Sequence, residues 1–79
     1  MENKSVTKFV ITFENKRNDR IKGTQHGLGS EIMVQVYRNT IGKELLECEI
    51  TIFKNGDVEW AIKRDTISGD ITGEVIIIG

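Results

Sequence analysis

Cys48-Glu49-Ile50-Thr51-Ile52-Phe53-Lys54-Asn55-Gly56-Asp57-Val58-Glu59-Trp60-Ala61-Ile62-Lys63 is the stretch on which the fold turns. Cys48, Ile50 and Ile52 alternate with Glu47, Glu49 and Thr51, and beyond Lys54-Asn55-Gly56, Val58, Trp60 and Ile62 alternate with Asp57, Glu59 and Lys63. Period-two alternation on both sides of a turn-forming triplet predicts a β-hairpin. A two-residue Asn55-Gly56 loop would pair Lys54 with Asp57 and set Ile52 opposite Glu59, which sends the two apolar sets to opposite faces. A three-residue loop, a type I turn closed by Gly56 in the left-handed region, pairs Phe53 with Asp57 instead. Ile52 then faces Val58, Ile50 faces Trp60 and Cys48 faces Ile62, while Glu47 faces Lys63 on the other side as a favourable cross-strand charge pair. The three-residue loop is therefore expected. Trp60 reads as a core residue, and Cys48 as a small buried hydrophobe rather than a reactive thiol.

Towards the N-terminus, residues 31–41 admit two readings. At period two, Ile32, Val34 and Val36 share a strand face; at period 3.6, Ile32, Met33, Val36, Tyr37 and Ile41 form a helical stripe with Ser30 as N-cap and Gly42 beyond the C-terminus. The β-branched residues lose side-chain freedom in a helix, which favours the strand. Residues 15–29, polar and broken by Gly23, Gly27 and Gly29, predict a long loop of the kind that often carries function. Before it, residues 6–14 place Phe9, Ile11 and Phe13 on one face of a half-buried strand. Towards the C-terminus, a turn at 65–70 precedes a last strand at 71–78. Its apolar run Val75-Ile76-Ile77-Ile78 needs cover on both faces. Either the rest of the domain or a second chain supplies that cover; on the second reading Val75, Ile76, Ile77 and Ile78 form the interface of a homo-oligomer.

The fold expected from this order is all-β: a small five-stranded SH3-like barrel or twisted antiparallel meander with a long first loop. A helix at 31–41 would make it α+β. The SH3-like likeness is one of architecture, since the acidic-aromatic signature of proline-binding SH3 domains is missing. The 79 residues suit one small β-rich domain, 1–79. With 38% hydrophobic and 29% charged residues and a net charge of −1, the composition is not that of a disordered tail. No run approaches the roughly 20 apolar residues of a membrane span, and no secretory signal core is visible, so a cytoplasmic protein without membrane contact is expected. A single cysteine forms no internal disulfide and leaves no multi-cysteine zinc site.

The near-neutral total hides an uneven layout. Residues 1–30 carry net +3, centred on Lys16, Arg17, Arg20 and Lys22, and residues 31–79 carry net −4, much of it in Glu44, Glu47, Glu49, Asp57 and Glu59. Single-sign patches attract partners of opposite sign. On the outer side of the hairpin, Glu47, Glu49, Asp57 and Glu59 surround Phe53, an aromatic rimmed by charge of the kind found at protein contacts. His26, the sole histidine, lies in Thr24-Gln25-His26-Gly27-Leu28-Gly29-Ser30 without an evident nucleophile or orienting acid, and reads as a loop histidine. The glycines around it could form an anion-binding nest near the basic cluster, although the spacing fits neither a P-loop nor a dinucleotide fingerprint.

The leading expectation is a non-enzymatic protein-binding module without cofactor or metal. It would be a regulator or inhibitor, of the sort encoded by a phage or mobile element, docking on a host protein through Glu47, Glu49, Phe53, Asp57 and Glu59. The alternative is a ligand-binding module in which Lys16, Arg17, Arg20, Lys22 and His26 hold a nucleotide, a phosphate-bearing small molecule or RNA. A pI near 5.8 sets nucleic acid behind a protein partner.

Overall fold

A computed structural model of the chain describes residues 7–63 and 71–79. The elements in order are β1 (Lys8–Lys16), β2 (Asn18–Ile21), the single helical turn α1 (Gly23–His26), β3 (Met33–Asn39), β4 (Lys43–Leu45), β5 (Cys48–Ile52), β6 (Val58–Ile62) and β7 (Ile71–Ile78). They form two antiparallel sheets, one ordered β1-β7-β3-β4 and the other β2-β6-β5.

The all-β class holds; the described residues form seven strands where five were expected, in two sheets that do not close into one barrel among those residues. Residues 33–39 are strand rather than helix, as the β-branched content favoured. That strand ends early: Ile41, counted in the helical stripe, is fully exposed in the turn to β4. The expected turn at 65–70 lies outside the described residues.

The β5–β6 hairpin adopts the three-residue register. Ile52, Ile50 and Cys48 stand opposite Val58, Trp60 and Ile62. The Phe53 N–H donates to the Asp57 carbonyl at 2.8 Å, and the Gly56 N–H to the Phe53 carbonyl at 2.9 Å. Gly56 has φ +94°, a conformation that a side chain would strain. The Lys63 N–H also reaches the Glu47 carbonyl, continuing the ladder past the strand ends.

The inner faces of both sheets meet in one apolar cluster. Phe13, Val36, Ile71, Val75 and Ile77 come from the first sheet, Ile21, Val58, Trp60 and Ile62 from the second, and Leu46 from the link between them. Trp60 lies at its centre, 2% exposed, with its ring centroid 4.6 Å from that of Phe13. Burial pushes the half-buried Cys48 thiol up to about 11, in line with an inert thiol.

The C-terminal run departs from the expectation of a four-residue interface. β7 is an inner strand bonded to β1 on one side and β3 on the other. Val75 and Ile77 are fully buried by this same chain, whereas Ile76 and Ile78, on the opposite face by alternation, are half-buried. Four apolar residues in a row here reflect a strand walled on both edges and one face by its own chain, the first of the two expected kinds of cover.

Candidate functional site

The supposed long loop contains a strand. Asn18–Ile21 pairs with β6, setting Arg20 beside Glu59, Asp19 beside Trp60 and Ile21 beside Val58. Only Ile21 of its four residues is buried, so the segment carries almost no alternating apolar signal. Its polar side chains tie it down instead. The Arg20 guanidinium donates to the Asp57 carboxylate from Nη2 at 2.8 Å and Nε at 3.2 Å, and to Glu59 from Nη1 at 3.0 Å. The same group covers Phe53, with its central carbon 4.6 Å from the ring centroid. A residue expected to hold a phosphate and three expected to meet a protein are thus packed into one cluster.

Past Arg20, α1 rests on the hairpin turn. The Gly23 N–H donates to Asp57 Oδ1 at 2.7 Å. The approach is so close that a Cβ on Gly23 would fall on the Asn55 carbonyl oxygen. His26, 7% exposed, bonds the Gly56 carbonyl oxygen through Nε2 at 2.6 Å and accepts from the Leu28 N–H at Nδ1 at 3.0 Å. These partners assign the proton to Nε2 and use both ring nitrogens structurally. The Asp57 carboxyl is held below its ordinary range, first by the Gly23 N–H and then by Arg20.

The other basic residues are also placed. Lys16 Nζ meets Asp19 Oδ2 at 2.7 Å, and this bond leads the causes that lower the Asp19 carboxyl. Arg17 donates to the Lys63 carbonyl, and its own carbonyl accepts from Ile62. Lys22 is exposed, and its carbonyl takes the Gln25 N–H at the start of α1. Three N–H groups of the Gly-rich segment serve this packing: Gly23 to Asp57, Gly27 to the Gly23 carbonyl, and Leu28 to His26.

On the outer face of β2-β6-β5 lies a shallow groove of about 530 Å³ lined by Asn18, Asp19, Arg20, Glu49, Thr51, Glu59 and Ala61, with a contribution from Trp60. One cross-strand row runs Asn18–Ala61–Glu49, and the next runs Arg20–Glu59–Thr51. Glu49 and Glu59 are therefore diagonal neighbours, roughly 7–8 Å apart at the backbone. Glu49 and Glu47 are exposed and form no ion pair among the described residues. Thr51 and Ala61 were readable from the hairpin register as outer-face positions; Asn18 was not, because the strand that carries it left no pattern.

Among the described residues no cluster of three or more histidine, cysteine or acidic side chains is placed to hold a metal ion, and no helix is long and apolar enough to cross a membrane. No family model, curated protein or solved structure shows a significant match to this chain.

Proposed function

We propose that this protein is a non-enzymatic binding module that receives a lysine- or arginine-bearing surface of another protein in the groove of the β2-β6-β5 sheet. The observation that carries this reading is the pairing state of the groove's carboxylates. Asp19 and Glu59 are matched by Lys16 and Arg20, while Glu49, on the groove wall with Glu47 two residues along the same face, has no ion-pair partner among the described residues. A cation seated between Glu49 and Glu59 would lie over the short side chains of Thr51 and Ala61, which leave room for an incoming head group. Arg20, braced by Asp57 and Phe53, fixes the far wall. Phe53 supports that wall instead of offering a bare aromatic anchor.

The test is an NMR titration with an arginine-rich decapeptide and a glutamate-rich peptide of equal length. Shifts confined to Glu49, Thr51, Glu59 and Ala61 with the basic peptide only, weakening with salt and lost in the E47K/E49K/E59K variant, support the reading. Equal binding by that variant removes it.

A further inference from the structure

β1 is an edge strand of the first sheet, and its free side has a defined hydrogen-bonding parity. Thr7 and Gly79 exchange both N–H···O bonds, at 3.3 and 3.0 Å. In an antiparallel ladder bonded pairs alternate with unbonded ones, so in the register that follows, Phe9, Ile11 and Phe13 turn their backbone groups towards β7. The N–H and C=O groups of Lys8, Val10, Thr12 and Glu14 point away from the sheet, with no partner among the described residues. The strand has no proline, one of the devices that block an exposed edge; its lysines stand at its two ends and its irregularity lies beyond Phe13. Its inner residues Phe9 and Ile11 remain only half-buried at that margin.

We propose that this edge binds a second copy of the same strand, antiparallel about a two-fold axis at Ile11. In that register Lys8 stands opposite Glu14 of the second copy and Val10 opposite its Thr12, both as hydrogen-bonded pairs. On the inner side Ile11 meets its own counterpart and Phe9 the counterpart of Phe13. Neither Lys8 nor Glu14 has an ion-pair partner among the described residues, and the two-fold matches each with its opposite at both ends of the strand. Sliding the register by two residues one way places Lys8 opposite Lys16, and by two the other way carries Glu14 beyond the described strand. The other long free edge, β5, is a poorer self-match: a two-fold centred on Ile50 leaves the Glu49 carboxylates of both copies as diagonal neighbours across the junction. Charge complementarity thus selects both the strand and the register.

The surface buried by one strand pairing falls in the range of weak, reversible association, so the dimer belongs to high protein concentration. Sedimentation equilibrium from about 10 µM to 1 mM should show a monomer–dimer equilibrium. Val10→Pro deletes an outward N–H that serves no bond to β7, and should give a folded monomer throughout. Lys8→Glu and Glu14→Lys should each weaken the dimer about tenfold, since each sets like charges opposite at both symmetry-related positions. The K8E/E14K double variant should recover wild-type affinity. A wild type that stays monomeric at 1 mM overturns the proposal, as does a folded Val10→Pro dimer or a double variant no tighter than the single ones. Should Val10→Pro fail to fold, the charge swap decides alone. The groove lies on the other sheet, so basic-peptide binding is expected to persist in the Val10→Pro monomer.

Discussion

The two sheets are held by different means. In β1-β7-β3-β4, β1 and β3 show apolar alternation, and the inner strand β7 buries Val75 and Ile77 completely. In β2-β6-β5, the middle strand β6 buries Val58, Trp60 and Ile62, but β2 contributes only Ile21 to that interior. What fixes β2 lies on the outside, where Arg20, Asp57, Glu59 and the Gly23 N–H lock strand, helical turn and hairpin bend together. Apolar burial is non-directional and tolerates many sequences, whereas a charge-assisted clamp requires particular atoms in particular places. The contacts of the second sheet should accordingly be the source of the whole molecule's response to pH and to single polar substitutions.

The strongest test of that contrast is Trp60→Ala, which empties the shared interior and should cost about 3–5 kcal/mol, comparable to the whole stability of a small domain. Thermal melts by circular dichroism should show both sheets lost together. Ile77→Ala, at about 2–5 kcal/mol, should lower the Trp60 fluorescence midpoint along with the circular dichroism midpoint; separation of the two signals would mean that the sheets unfold independently. Gly23→Ala forces the helical turn off the hairpin and should cost roughly 1–3 kcal/mol, with amide shifts concentrated at residues 54–57. Asp57→Asn should lower the melting temperature at neutral pH. The Asp57 and Asp19 carboxyls are held below their ordinary value in the folded protein, so their contribution is full above about pH 4 and is lost as pH falls through their folded values. Urea midpoints measured from pH 6 to pH 2 should fall more gently in Asp57→Asn than in the wild type. Lys16→Ala, which breaks an exposed pair, should change stability by no more than about 0.5 kcal/mol.

The same division explains what could be read in advance. The hairpin register, the interior position of Trp60 and the strand at 33–39 follow from alternation and turn chemistry, both local properties of the chain. β2 does not, because Asn-Asp-Arg favours turns by composition and becomes a strand only against β6, with carboxylates from residues 57 and 59 within reach of Arg20. The acidic and basic candidate surfaces looked separate since they lie some forty residues apart, and no local rule announces that strand pairing folds one onto the other. β4 is three exposed residues paired to the end of β3, with Arg38 bonded to Glu44, and leaves no periodic trace. His26 reads in the sequence as a loop histidine; its place in α1 and its bond to the Gly56 carbonyl depend on a contact thirty positions away.

Asn15, at φ +54°, sits in the irregularity of the β1–β7 ladder between Phe13 and Lys16, just before β2 joins the other sheet. One continuous run of backbone therefore belongs to both layers, and the chain returns to the second layer through Leu46, itself part of the interior. Such interlacing leaves no seam along which half of the molecule could open by itself. Deuterium uptake by the most protected amides of β6 and β7 should accordingly proceed at matching free energies, as in a fabric whose warp and weft fail together.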